Sequence, residues 1–545
     1  VKTSPNGQGT LVAFAALAAL WHVLTMPGSY YQGDNFAPRT EAVFLLTTGT
    51  IGMPYVTDLK RDGFLAKRGQ YFFENDRRRE MFSKYGVLNT FLYLPPLWME
   101  RAVRGSPLPP LPVTQTLLAF INVFNTLFFV TALFYLYGFA SLYTKKPWVR
   151  LTWVFAVCFT TYLWFYLRAP ALEVYQIPAV LAAVFHSIAF WRIRRASPGH
   201  APDHAWLNLA AASTACAVAV NLKSLFVALI PLVVVFAVCA GNGRLKPATR
   251  IGNNLRDNWK QYTLALFLPM MLGLSLLLWS NWYRFGSVLE TGYGQWNATG
   301  GVAVARFGPE FVLPALKGFL FTPGNENIWM HAPLLVVALC GWGLFLRRRT
   351  TEALFVVFTT LVLFLSVCAF SVWYSGWCYG PRYLVLPVVL AIVPLVFVLD
   401  RLPAMRRSYR AALAVLAVMI SIVSLTLNFA VNSLPFFASI QATGQFAAAN
   451  DPGIRGYLRT HPHAGQVSLD LLLHHAKLRE FPPLRVARER YEKTFPEEVE
   501  ALETFIAREA TPDWWVLKWL RARRVGMPGF PVLPPSDRPL QSVHQ

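Results

Sequence analysis

The chain has 545 residues, of which 55% are apolar, 15% aromatic and only 14% charged, with a formal net charge of +22. Soluble domains carry about 25% charged residues, so an ordinary soluble globular protein is excluded, and long apolar runs account for the missing charge as transmembrane helices. The positive balance suggests nucleic acid only until its distribution along the chain is followed.

The first apolar run, LVAFAALAALWHVLTM, follows VKTSPNGQGT. It lacks a convincing small-residue cleavage site, so a retained first helix is expected rather than a signal peptide. Eleven spans are predicted in all, at 10–27, 115–141, 151–167, 172–191, 206–221, 224–241, 262–281, 331–346, 353–371, 383–399 and 411–431. With the N-terminus inside, the short inner loops hold Lys145, Lys146 and Arg150, then Arg192, Arg194 and Arg195, then Arg244, Lys246, Arg250, Arg256 and Lys260. Arg347–Arg349 and Arg401, Arg406, Arg407 and Arg410 continue the series, whereas the short outer turns hold only Arg168, Lys223 and Arg382. This alternation is the positive-inside pattern. It explains much of the basic charge without nucleic acid, which is not expected as a partner.

Three long segments then fall outside, at 28–114, 282–330 and after about 432. In the first, Ala42–Thr48 and Val87–Trp98 are apolar but too short to span, and suit helices lying in the membrane interface. Pro38 fits an early helical turn. The region 432–545 is mostly polar and is read as a small extramembrane region, with an extended Pro-rich end. Cys158, Cys216, Cys239, Cys340 and Cys368 lie in apolar runs and Cys378 in a short loop, with no disulfide or metal spacing. No Walker A or dinucleotide loop and no HExxH occur. No cofactor is identified; a divalent metal stays open without a motif for it.

The outer ends gather the groups suited to chemistry. Asp34 follows the first span, with Arg39 and Glu41 nearby. FSKYGVL (82–88) supplies Lys84 and Tyr85, and LRAPALE (167–173) supplies Arg168 and Glu173. Lys223 lies in the next outer turn, Arg284 in NWYRFGSVLETGYG (281–294), and Trp373, Tyr374, Trp377, Tyr379 and Arg382 in SVWYSGWCYGPRYL (371–384). Singly, each has a bland explanation: an aromatic interface belt, a snorkelling arginine, a solvated lysine, an Arg168–Glu173 pair, or a helix cap at Asp34. Together they ring one mouth of the bundle. Ionisable groups at that depth are costly and usually line a cavity. A mixed ring suits an anionic lipid headgroup held by cations beside a carboxylate acting as general base.

Gly33–Asp34 after the first span, the large first outer loop, FSKYG (82–86), YRFGSVLETGYG (283–294) and WYSGWCYGPRYLVLP (373–387) together resemble the GT-C class of integral-membrane glycosyltransferases, over residues 1–431. That class includes protein O-mannosyltransferases and the lipid A aminoarabinose transferase, and the motifs resemble an uncharacterised bacterial branch of it. The resemblance implies an all-α polytopic bundle of about eleven transmembrane helices, in a bacterial inner membrane with the C-terminal region periplasmic. It implies an enzyme that moves a sugar from a polyprenyl-phosphate donor to a lipid, glycan or protein acceptor, with inversion. Asp34 would be the catalytic base; many members carry Asp-Glu there, where this chain has Asp34–Asn35. Arg382, Lys84, Lys223 and Arg284 would meet the donor phosphate. Glu41, Tyr85, Arg168, Glu173, Trp373, Tyr374, Trp377 and Tyr379 would line the cavity. Two other readings are a transporter or flippase of lipid-linked substrates, and a non-catalytic subunit with a partner in a membrane complex.

Overall fold

The computed structural model describes residues 5–27, 36–54, 72–75, 77–105, 114–168, 171–197, 202–240, 255–294, 306–322, 326–374, 379–434 and 513–517. Helices dominate. Seven are long and apolar enough to cross a membrane: Thr116–Tyr143, Glu173–Ala196, Asp203–Leu222, Trp259–Phe285, Thr350–Cys368, Arg382–Ala404 and Arg407–Asn432. The remaining four expected spans are also helical but shorter or interrupted. They comprise α1 (Pro5–Thr25), α6 with α7 (Pro147–Phe159, Leu163–Arg168), α10 (Leu229–Ala240) behind a 3₁₀ turn, and Leu334–Arg348.

The break between α6 and α7 has a local cause. Thr160 and Thr161 turn their hydroxyls back onto the carbonyls of Ala156 and Val157, and Tyr162 donates its N–H to His331 O at 3.2 Å instead of continuing the helix. A second break falls at Pro394, which separates Val385–Ile392 from Leu395–Arg401 because proline removes a donor and crowds the preceding turn.

Helix α8 (Glu173–Ala196) is the centre of the bundle, buried along most of its length and packed on α5 (Gln115–Tyr143) and α9 (Asp203–Leu222). At its far end Arg192 pairs with Glu352 at 2.7 Å, and close by in the inner set Lys146 pairs with Asp400 at 3.1 Å. Nineteen residues of α8, about 28 Å at 1.5 Å per residue, separate Glu173 from Arg192. Two of the expected inner loops thus carry ion pairs at one end of α8, and Lys84, Glu173, Lys223, Arg284 and Arg382 gather at the other. The helix Arg407–Asn432 keeps Val415, Val418, Met419 and Ile422 exposed, as a lipid-facing helix would.

The first outer segment differs from expectation. Besides α2 (Phe36–Thr48), α3 (Val87–Leu92) and α4 (Leu94–Arg104) it contains a small antiparallel sheet, β1 (Met53–Pro54), β2 (Phe72–Asn75) and β3 (Glu80–Ser83), in the order β1–β3–β2. Phe72 faces Ser83 and Asn75 faces Glu80. Helix α2 is not a simple interface helix: Phe36–Val43 are buried, and only its later turns emerge. Helix α4 fits the interface better, burying Leu97 and Glu100 while exposing Trp98, Met99 and Val103.

Candidate functional site

An open cleft lies where six elements meet. The β3–α3 junction brings Lys84, Tyr85 and Gly86; the start of α8 brings Glu173 and Gln176; the end of α9 brings Lys223. The end of α11 (Leu268–Phe285) brings Asn281 and Arg284, the turn after it Thr291–Tyr293, and the segment before Val385 brings Arg382 and Tyr383. Two glycines make this convergence possible. A Cβ on Gly86 would overlap the carbonyl of Asn221, and one on Gly292 would overlap the backbone of Lys84. Asn89 locks the first approach by donating to Leu222 O at 2.8 Å.

Behind the cleft wall, Glu41 is fully buried. It accepts hydrogen bonds from the Ser83 N–H and from the Thr90 hydroxyl at 2.6 Å, and from Arg284 Nη2 at 3.1 Å and 3.4 Å. Arg284 also donates from Nη1 to Tyr85 O at 2.6 Å and from Nη2 to Ser83 O. Both terminal nitrogens of Arg284 are therefore committed to the chain. Glu41 holds the loop that carries Lys84 and is not among the cleft-lining residues, which corrects the expectation that Glu41 lines the cavity; Arg284 both holds that loop and lines the cleft.

Arg382 donates from Nε to Glu173 Oε1 at 2.6 Å, and both side chains are more than nine-tenths buried. Glu173 pairs with this arginine and not with Arg168. Its Oε2 has no hydrogen-bond partner among the described residues. Lys223 Nζ stands 4.2 Å from the Tyr383 ring centroid. Lys84 Nζ stands 5.4 Å from Tyr85 and 5.5 Å from Tyr293. The lining thus carries four cationic side chains and one carboxylate, with aromatic faces beside the lysines. Such a set has the donors and charge to hold an anion by charge-assisted hydrogen bonds.

The other expected residues lie elsewhere. Arg168 is buried away from the cleft, bound to the carbonyls of Thr25 and, at 2.9 Å, Asp513. Trp373 packs edge-on against Phe319 and Tyr374. Tyr379 is buried against Phe165 and His331, accepts from the Tyr166 hydroxyl at its carbonyl, and has its phenol pKa pushed up by burial. These aromatics are packing elements, not cleft lining. Asp34 and Trp377 lie outside the described residues. The sequence reading missed Gln176, Asn281, Tyr293 and Tyr383. Helical spacing was available for two of them, since Gln176 follows Glu173 by one turn and Asn281 precedes Arg284 by one turn. Among the described residues no group of three or more His, Cys, Asp or Glu side chains is placed to hold a metal ion.

No family model and no curated protein matches the chain. Among solved structures it is similar to ArnT from Cupriavidus metallidurans bound to undecaprenyl phosphate, at 11% identity and a TM-score of 0.47, over 87% of this chain and 77% of that one. It is also similar to the archaeal oligosaccharyltransferase AglB from Archaeoglobus fulgidus in complex with an inhibitory peptide and a dolichol-phosphate, at 11% identity and a TM-score of 0.46. That match covers 84% of this chain, which spans only 60% of the archaeal chain. Likenesses of this degree leave function to be argued from the cleft itself.

Proposed function

We propose that this chain is a membrane glycosyltransferase of the GT-C type, which takes a sugar from a polyprenyl-phosphate donor and passes it to a hydroxyl of a lipid, glycan or protein acceptor. The observation that carries the reading is the meeting of Lys84, Lys223, Arg284, Arg382 and Glu173 in one cleft, from separate elements at one end of an apolar bundle. A cationic cleft beside lipid suits a ligand with a phosphate head and an apolar tail.

In the proposed reaction the acceptor oxygen bonds to the anomeric carbon as the bond from that carbon to the phosphate oxygen breaks. The polyprenyl phosphate leaves with the electron pair, and Asp34 takes the acceptor's proton. The phosphate gains negative charge as it leaves, so cations fixed before the reaction favour the transition state over the bound donor. Lys84, Lys223 and Arg382 supply that field, while Glu41 and Arg284 keep the Lys84 loop in place. Glu173 holds Arg382 by its Nε and so sets the plane of the guanidinium.

The test is sugar transfer by the purified full chain in nanodiscs, from labelled polyprenyl-phosphate sugars to candidate acceptors. Wild type should form product, and Asp34→Asn should form none while inserting normally. A fully active Asp34→Asn chain would remove Asp34 as the base. Movement of lipid-linked sugar across the bilayer with no product would favour a flippase. Absence of both, with a stoichiometric partner on purification, would favour a non-catalytic subunit.

A further inference from the structure

The turn between β2 and β3 carries three consecutive arginines, Arg77, Arg78 and Arg79, all exposed. None of them forms an ion pair with a described residue. Arg79 holds a φ of 54°, a left-handed conformation that glycine or asparagine adopts more easily, so the local backbone gives no reason for an arginine there. The turn is also fixed in place. Asn75 accepts the N–H groups of Arg78 and Arg79 at its carbonyl (3.1 and 2.9 Å) and that of Arg77 at its side-chain oxygen (3.2 Å). Its side-chain amide donates to Arg284 O at 3.1 Å and Tyr283 O at 3.4 Å, at the end of α11.

That helix end marks a membrane level. Helix α11 exposes Met271, Leu272 and Leu276 along one stripe, which ends in Trp279 and Trp282, about half exposed. An apolar stripe ending in tryptophan is the pattern of a lipid-facing helix reaching the headgroup layer. Tyr283 follows, 5.5 Å from Trp279 between ring centroids, and the Arg78 guanidinium lies 3.8 Å above the Tyr283 ring. The arginine turn therefore sits where the apolar stripe gives way to the headgroup layer.

We propose that Arg77–Arg79, with Tyr283, Trp279 and Trp282, form a docking site for the phosphate headgroup of an anionic phospholipid of the surrounding bilayer. Arginine presents a planar fork that matches phosphate oxygens. Stacking on Tyr283 presets the plane of Arg78, and the tryptophans take the glycerol and upper acyl region. The site is separate from the cleft, but Asn75 joins it through the backbone of Arg284 to the cleft wall.

The test uses the full chain in phosphatidylcholine nanodiscs containing a diazirine-headgroup analogue of phosphatidylglycerol, phosphatidylcholine or undecaprenyl phosphate, with labelled peptides mapped by mass spectrometry. Phosphatidylglycerol should label 72–83 and 279–285 well above phosphatidylcholine. The variant Arg77→Gln/Arg78→Gln/Arg79→Gln should lower that labelling at least tenfold, since each basic residue near an anionic surface is worth about fivefold. Arg78→Lys, which keeps the charge and loses the stacked plane, should fall between them; thermal midpoints of all three chains verify folding. Equal labelling by phosphatidylcholine, no effect of the triple variant in a folded chain, or labelling by undecaprenyl phosphate alone would each overturn the proposal. No arm measures sugar transfer, so the outcome is independent of the proposed reaction.

Discussion

Glu41 and Arg284 stand 243 positions apart in the chain and meet at 3.1 Å with both side chains almost completely buried. Removing one member of such a pair leaves an uncompensated buried charge, at a cost of about 3–5 kcal/mol. Here the loss would also release the Ser83 N–H and Thr90 hydroxyl that Glu41 receives. Glu41→Ala should therefore lower the thermal midpoint in detergent markedly, and Arg284→Ala similarly. The double variant Glu41→Leu/Arg284→Leu should recover part of the loss. A Glu41→Ala chain as stable as wild type would show that the pair does not hold this wall.

Arg382 and Glu173 form the second buried pair, but at the cleft surface. Arg382→Ala removes a donor that the proposed reaction assigns to the phosphate, and also strands Glu173. Hydrogen bonds to a charged group contribute about 1.5–3 kcal/mol, so undecaprenyl phosphate binding should weaken roughly tenfold to a hundredfold. Arg382→Ala/Glu173→Ala should restore the thermal midpoint without restoring binding. Native mass spectrometry and thermal unfolding, read on the same samples, separate the two effects. If binding returns with stability, Arg382 acts only as a structural partner of Glu173.

How much of this could be read beforehand varies with the kind of signal. The helices at 172–191 and 206–221 announce themselves because a run of apolar residues long enough to span is a local property. The gathering of Lys84, Lys223 and Arg382 was legible through the alternation of inner and outer loops, which constrains distant residues to one end. The Glu41–Arg284 pair was not, since nothing local distinguishes a carboxylate that faces a cavity from one that faces a partner behind the wall. The small sheet was missed because strands of two to four residues carry too little alternation to register. Trp373 and Tyr379 stand among the cleft candidates in the sequence, yet Trp373 packs on Phe319 and Tyr379 on His331.

Gly292 tests the close approach on which the cleft depends. A methyl group there has no room beside the backbone of Lys84, whereas one on Gly343 meets nothing within 4 Å. Gly292→Ala should push the Lys84 loop away and weaken undecaprenyl phosphate binding by about tenfold, on the scale of one misplaced charge-assisted bond. Gly343→Ala should leave binding unchanged. Equal binding by both variants would mean that Lys84 does not contribute at its present position.

The C-terminal region touches the membrane bundle through Asp513–Trp515, and the contact falls beside the first outer segment. Asp513 donates its N–H to Ser433 O at 2.8 Å, and Trp515 donates its N–H to Met26 O at 3.0 Å. The indole of Trp514 donates to Asn432 O at 3.0 Å, and the indole of Trp515 to Val23 O. Trp514 also bridges Pro27, whose carbonyl accepts from Asn122 at 3.2 Å. Four hydrogen bonds from so short a segment fasten the ends of α1 and of Arg407–Asn432 to each other, immediately before the residues that lead to Asp34. Trp514→Ala/Trp515→Ala should therefore raise backbone hydrogen exchange at 20–27 while leaving exchange in α8 unchanged. Trp515→Phe, which keeps the ring and loses the indole donor, should raise it less. Unaltered exchange at 20–27 in the double variant would mean that α1 holds its end without the C-terminal clasp.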